Sequence, residues 1–235
     1  MIKQFLTYWK KRQRARKIRK LKTKIPPYLQ KDFEVELNYK LWSTKGARFA
    51  ASHRNETLQR LSGQTVGYLS AYLIIVGLVN VYHLRFWMFT LTDNQVNFAS
   101  MAFSVLILLF SQLESSENFS LKSDRYHNCA LDISELYDKL RYVKTYENNN
   151  QNKKDILKNI SIEYDKILKR NENHKSIDYI KFQLTKSSYF ELSLLDKLLI
   201  RIEYYWRIQL KYHLFMYGPI IIFLTANLYE LFNSR

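Results

Sequence analysis

The chain of 235 residues carries a formal net charge of +16 and a pI of about 9.7, which favours contact with anionic lipid headgroups or nucleic acid. Its single cysteine, Cys129, excludes an intrachain disulfide, and nothing in the composition indicates an oxidising compartment. Three prolines and five glycines are few for this length, so long helices are favoured over a β-rich fold.

The N-terminal segment, residues 1–27, is strongly basic, with ten lysines or arginines between Lys10 and Lys24. The apolar residues before this run have helical spacing, so a short apolar face would lie beneath a basic one. Three interpretations stay open: a helix on the membrane surface, a solvated tail, and a nucleic-acid-binding arm. The candidate contacts with anionic lipid or nucleic acid are Lys10, Lys11, Arg12, Arg14, Arg16, Lys17, Arg19 and Lys20.

Residues 28–147 form the predicted core of the protein. From Gln30 to Gln64 the apolar residues follow a helical stripe among charges, and this helix is expected to run on into the first membrane span. Gly46 is a position where the helix could break or kink. Four residues of this segment fit either a collar at the membrane surface or simple packing against another helix: Trp42, Arg48, Phe49 and Arg54.

Two stretches in this core contain no Asp, Glu, Lys or Arg, namely Leu61–Leu84 and Asn94–Leu113. A helix of about 20 apolar residues crosses the hydrocarbon core of a bilayer. We therefore predict a membrane hairpin with spans at about 65–84 and 96–113, against the alternative of two helices buried in a soluble core. The short loop between them carries Trp87, which is typical of a membrane interface.

The first span has small or weakly polar residues at helical spacing. Such residues allow the backbone of a second helix to approach closely, so this face is predicted to be a helix-packing seam. It comprises Gly63, Gly67, Ser70, Ala71, Gly77 and Asn80.

The second span carries a weakly polar stripe on one face. The stripe is interpreted either as hydroxyl groups bonded within the helix or to a neighbour, or as the lining of a pore in an assembly. Its residues are Asn97, Ser100, Ser104 and Ser111.

The distribution of basic residues predicts the orientation of the hairpin. The loop between the spans has one basic residue, whereas residues 1–64 have seventeen and residues 114–211 have eighteen. The positive-inside rule therefore places the N-terminus and residues 114–211 in the cytoplasm, with the protein in a bacterial inner membrane.

The order of these segments, with Lys45–Arg54 before the first span and Asp124–Leu140 after the second, resembles the bacterial SLATT family. Members of that family are two-span effectors found beside nucleotide-second-messenger synthases, nucleotide-sensing domains or reverse transcriptases in phage-defence loci. The resemblance implies an effector that perturbs the membrane of the infected cell. It also implies a set of residues that join the two helices flanking the hairpin: Arg48, Phe49, Arg54, Arg125, His127, Asn128 and Leu131.

A polar run at residues 148–154 predicts a boundary, so residues 148–235 form a separate C-terminal helical region. Its last part, about 212–231, is predicted to be a third membrane helix, although it contains Gly218, Pro219 and Asn227. A buried or surface-lying helix is the alternative.

No catalytic, metal-binding or cofactor motif is evident, since the five histidines lack ligand spacing and Cys129 has no paired base. The sequence thus predicts an all-α membrane protein that is not an enzyme and needs no cofactor. Two functions are compatible with it. The first is a homo-oligomeric antiphage effector that opens a pore or disrupts the membrane when a partner, such as a reverse transcriptase or nucleotide synthase, or a nucleotide signal activates it. The second is a membrane-tethered adaptor that holds a nucleic-acid enzyme or RNA through its basic arm.

Overall fold

A computed structural model describes residues 32–82, 92–147 and 149–233, and the described residues form seven α-helices and one π-helical turn, with no strand among them. The helices are α1 (Phe33–Tyr82), α2 (Asp93–Glu117), α3 (Phe119–Tyr146), α4 (Asn150–Arg170), α5 (Ser176–Thr185), α6 (Leu194–Tyr204) and α7 (Leu210–Asn233). The π-helical turn spans Tyr205–Gln209 and joins α6 to α7. The predicted all-α fold is confirmed.

Helix α1 is the longest element and takes part in both halves of the molecule. Its 50 residues correspond to a length of about 75 Å, more than twice the thickness of the hydrocarbon core of a bilayer. Gly46 does not interrupt it. A Cβ atom added at Gly46 would lie 2.1 Å from Cε2 of Phe182, so the absence of a side chain here allows the Phe182 ring to pack against the helix backbone.

The first half of α1 packs against α3, α4 and α5, and we call this part the polar bundle. Its core is made by apolar residues that recur at helical spacing on α1, α3 and α4. They include Leu37, Leu41, Ile133, Leu140, Ile160 and Ile167, all of which are buried. The bundle therefore includes α4, which lies beyond the boundary predicted at residue 148.

The second half of α1 packs against α2 and α7 around a second apolar cluster. Its buried members are Leu58, Leu61, Leu69, Phe110, Phe119, Tyr212 and Met216. Most other apolar residues of these helices point outward, so this part lacks the shielding that a soluble core would need. Only 17% of the most apolar stretch of α1 and 11% of that of α2 is buried, which separates membrane spans from core helices of a soluble protein.

Helices α2 and α3 are joined by a single residue, Asn118. Its backbone is left-handed, with φ 46° and ψ 52°, a conformation that Asn tolerates better than most residues. Helices α2 and α3 therefore follow each other almost continuously, with the regular helix interrupted at Asn118. At its other end, α2 begins with a capping box, in which Thr92 and Gln95 exchange hydrogen bonds between side chain and backbone.

The third hydrophobic stretch forms α7, which remains helical through Pro219. Tyr72 of α1 donates a hydrogen bond to the carbonyl of Met216, three residues before this proline. Only α1 and the α2–α3 segment of the described chain meet the length and hydropathy expected of a span, so a membrane-crossing role for α7 stays a prediction.

Candidate functional site

The predicted helix-packing seam faces away from the other helices that the structure describes. Gly63, Gly67 and Ala71 are exposed, and a Cβ atom added at Gly67 or Gly77 would meet no described atom within 4 Å. Ser70 is half-buried, and the side chain of Asn80 lies outside the described part. Helix α1 instead turns Thr65 and Leu69 inward, both fully buried. No described residue packs beside Gly67 or Gly77, and the use of the seam by a second copy stays a prediction.

The polar stripe of α2 also lies largely on the outer surface. Asn97, Ser104 and Ser111 are exposed, and Ser100 is half-buried. The hydroxyl of Ser104 donates a hydrogen bond to the carbonyl of Ser100 at 2.8 Å, so its proton is used within the helix. The hydroxyl oxygen remains an acceptor, which is compatible with either interpretation of the stripe.

Six of the seven residues that carry the family pattern divide into two groups, and the seventh, Arg54, contacts α5. Phe49 of α1 and His127 of α3 are in edge-to-face contact, with ring centroids 5.6 Å apart, and Arg48 lies 5.7 Å from the ring centroid of Tyr126. These contacts join the two helices that continue from the hairpin. The second group, Arg125, Asn128 and Leu131, is exposed on the outer side of α3.

Arg54 forms a buried ion pair with Asp178 of α5. Its Nε lies 2.7 Å from Oδ1 and its Nη2 lies 3.3 Å from Oδ2, which is the two-pronged geometry that guanidinium and carboxylate groups favour. Asp178 Oδ2 also accepts a hydrogen bond from the backbone N–H of Lys175 at 2.9 Å and so caps α5. This pair fixes α5 to α1 about one helical turn before the second apolar cluster begins at Leu58.

Arg48 is also buried, but without a carboxylate partner in the described part of the chain. It is 1% exposed, and its Nε and Nη1 atoms have no hydrogen-bond partner there. His174 lies within its electrostatic range and has an equally unpartnered Nδ1 atom. Burial lowers the pKa of His174, and the positive charge of Arg48 lowers it further, against a smaller opposite effect from Asp178. The imidazole is accordingly held in its neutral form.

The burial of Arg48 and Arg54 shows that these arginines pack inside the bundle and do not form a collar in contact with headgroups. Trp42 likewise packs within the bundle, with its ring centroid 4.9 Å from Phe182 and 4.7 Å from Tyr189. Packing, the second of the two interpretations considered for these three residues, therefore accounts for them.

Sequence reasoning missed the partners that these residues find. Asp178 lies 124 positions from Arg54 in the sequence. Ser123 lies 71 positions from Ser52, and its hydroxyl donates a hydrogen bond to the Ser52 carbonyl at 3.0 Å. The only local signal of Asp178 was its position three residues after the N-cap residue Lys175, where its side chain caps α5.

Cys129 is 1% exposed in the core of the polar bundle, and burial raises the pKa of its thiol. Both facts agree with a packed rather than a nucleophilic cysteine. Within the described ranges, no three His, Cys, Asp or Glu side chains gather as a metal site. The basic residues from Lys10 to Lys20 and the hairpin loop around Trp87 lie outside the described residues.

A comparison with protein-family models matches residues 30–225 to the SMODS and SLOG-associating 2TM effector domain family 5, a SLATT family. The chain belongs to this family. The match confirms the resemblance and extends it through α4, α5, α6 and most of α7, well beyond the segment from which the resemblance was drawn. This SLATT chain is thus a two-span membrane effector of the kind that acts in defence systems.

A search of curated proteins and a search of solved structures gave no match to this SLATT chain. Its particular mode of action therefore has to be argued from its own residues.

Proposed function

We propose that this protein is the membrane effector of a bacterial antiphage system that acts by abortive infection. In this proposal several copies associate in the inner membrane, with residues 114–211 in the cytoplasm, and open a pore or disrupt the bilayer after activation. The activator is a nucleotide signal or a partner protein such as a reverse transcriptase or nucleotide synthase. No enzymatic activity and no resident cofactor are involved.

The observation that carries the proposal is the exposed seam on α1. Three helices from one chain cannot enclose a water-filled passage, so permeation requires several copies. Small residues on an exposed membrane-facing ridge let another helix approach closely, and no residue that the structure describes occupies the space beside Gly67 and Gly77. The inward face of α1 is already used by α2 and α7, which leaves the ridge available for a second copy.

The proposal is tested in cells that express the protein together with the neighbouring genes of its own locus. After phage challenge, a potential-sensitive dye should report loss of membrane potential before lysis. Normal potential and normal growth in challenged cells, with the protein present in the membrane, would refute the effector function.

The contribution of the seam is tested by oligomer mass in detergent. Gly67→Leu and Gly77→Leu should lower the assembly mass and abolish depolarisation, because a Leu side chain blocks close helix approach. Leu78→Val is the matched control, since Leu78 is exposed on the same helix and the change removes bulk rather than adding it. Equal effects of all three substitutions would remove the argument from the seam.

The adaptor alternative rests on the ten basic residues between Lys10 and Lys24. It expects salt-sensitive RNA binding that disappears when residues 10–24 are deleted, without any ion leakage. RNA binding that is unchanged by this deletion would exclude it.

A further inference from the structure

The polar bundle contains a cavity of about 500 Å³ between α1, α3 and α5. This volume is within the range of about 300–1,000 Å³ that small-molecule sites occupy in proteins. The cavity opens to solvent beside His53 and Thr185, both of which are exposed. Gly46 forms part of its wall, where the Phe182 ring packs against the backbone of α1.

Flat aromatic surfaces form one side of the cavity. Trp42, Phe49, Tyr137 and Phe182 all contribute to its lining. The rings of Trp42 and Phe182 hold each other at 72° in edge-to-face contact. Aromatic walls of this kind offer stacking surfaces to a planar ring, and stacking is largely indifferent to which base is present.

Positive charge without a matching carboxylate forms the other side. Lys45, Lys181 and Lys186 line the cavity, and no acidic residue is among its described lining. Among the described residues, the ammonium of Lys45 contacts the Ser134 hydroxyl, at 3.4 Å, and the Tyr137 ring, at 4.1 Å from its centroid. None of the three lysines has a carboxylate oxygen within 4.0 Å in the part of the chain that the structure describes.

Burial is the main cause that lowers the pKa of Lys45. The charge of Asp138 raises this pKa, and the smaller effects of Arg141 and Lys186 lower it. An anion that entered the cavity would favour the charged form of Lys45 and offset its repulsion by Arg141 and Lys186.

A second cavity of about 610 Å³ lies near the start of α1 but lacks this character. Two carboxylates, Asp32 and Glu34, line it together with its lysines. Glu34 already pairs with Lys153 at 2.9 Å, so part of the positive charge there is neutralised within the chain.

We propose that the lysine-lined aromatic cavity between α1, α3 and α5 binds a nucleotide, with its phosphates on Lys45 and Lys186 and its base against the partly exposed Trp42. The proposal rests on the proposed function, since it supplies the receptor site for the activating signal. The ligand would touch all three helices at once. From His53 the continuous helix α1 reaches the predicted span at residue 65 within about 18 Å, so the site is directly connected to the membrane hairpin.

The experiment is calorimetric titration of the full-length chain in detergent with ATP, GTP, CTP and UTP in turn, and with tripolyphosphate and adenosine as part-ligands. At least one nucleoside triphosphate should bind more tightly than either part-ligand. The double variant Lys45→Met with Lys186→Met should weaken that binding by about tenfold or more, because each lysine supplies a charge-assisted contact. Trp42→Leu should weaken nucleotide binding and leave tripolyphosphate binding unchanged.

Lys166→Met is the matched control, because Lys166 is an exposed lysine on α4 outside the cavity lining. Its nucleotide affinity should equal that of the wild type. A circular-dichroism melt of each variant separates loss of the site from loss of the fold.

Three outcomes overturn the proposal. The first is the absence of binding by all four triphosphates, and the second is equal binding of tripolyphosphate and nucleotide. The third is displacement of the nucleotide by vesicles containing phosphatidylglycerol, which would assign the lysines to lipid headgroups. Binding does not depend on permeation. A protein that binds nucleotide but leaves the membrane potential intact would refute the proposed function alone, whereas depolarisation without nucleotide binding would refute this site alone.

Discussion

Neutralising Asp178 while keeping its shape should selectively destabilise the polar bundle. In Asp178→Asn the side chain retains an oxygen that can cap α5, but Arg54 is left as a buried charge without a counterion. Both side chains are almost completely buried, at 4% and 0% exposed, so water cannot replace the lost partner. Removing one partner of a buried ion pair costs about 3–5 kcal/mol.

A matched exposed pair provides the control for this magnitude. Lys122 and Glu117 lie 2.6 Å apart, closer than Arg54 and Asp178, but their side chains are 35% and 50% exposed. Glu117→Gln should therefore change the free energy of unfolding by less than about 1 kcal/mol. If distance rather than burial governed the stability, Glu117→Gln would be the more damaging substitution.

Urea denaturation of the full-length protein in detergent micelles, followed by pulse proteolysis at the α4–α5 connection, measures the unfolding of the bundle. We expect a large fall in the urea midpoint for Asp178→Asn and almost none for Glu117→Gln. A third variant, Arg54→Met combined with Asp178→Leu, should recover most of the loss, because two apolar side chains leave no buried charge. A midpoint for Asp178→Asn within the error of the wild type would refute this account of the pair.

Three further predictions concern single sites. Gly46→Ala should destabilise the protein by about 1–3 kcal/mol, because the added methyl group displaces Phe182, while Gly67→Ala, with open space around it, should leave the melting temperature unchanged or raise it. Equal melting temperatures for the two variants would contradict this. The lowered pKa of His174 contributes stability that is fully present above its ordinary value of 6.5 and is lost as the pH falls from there through the lower folded-state pKa. The melting temperature should therefore drop between pH 7.5 and 5.5 and drop less in His174→Gln; identical slopes would disprove the assignment. Cys129 should react with maleimide only after unfolding, because it is 1% exposed and its thiol pKa is raised. Rapid labelling of the native protein would show that the bundle opens.

The hairpin and the helix leading into it could be predicted because their evidence is local. A charge-free stretch long enough to cross a bilayer needs no knowledge of distant residues, and the stripe from Gln30 to Gln64 has the helical period that α1 confirms. The helix that covers each buried side chain of the bundle was harder to predict. Apolar periodicity indicates which face is buried but does not reveal which helix covers it.

The interactions that organise the bundle are long-range, and periodicity does not encode them. Gly46 in isolation indicates a weak point in a helix, whereas its actual neighbour is Phe182, which is more than one hundred positions away in the chain. In the sequence Arg54 resembles a charged surface residue, but in the fold it is buried against Asp178 of α5. The lysine-lined aromatic cavity is likewise assembled from α1, α3 and α5, and no short motif marks it.

The unbroken course of α1 fixes the angular relation between the two halves of the molecule. Each residue of an α-helix advances the chain by about 100°, so one residue inserted between Asn55 and Leu58 would turn the membrane ridge by that angle relative to the polar bundle. Seven inserted residues would restore the angle to within about 20° while moving the bundle about 10 Å farther from the bilayer. On the other side of the hairpin, the left-handed residue Asn118 interrupts the regular helical geometry between α2 and α3. The two connections therefore differ: an insertion in α1 would change the angle between the ridge and the polar bundle, whereas α2 and α3 meet at a residue outside the helical conformation.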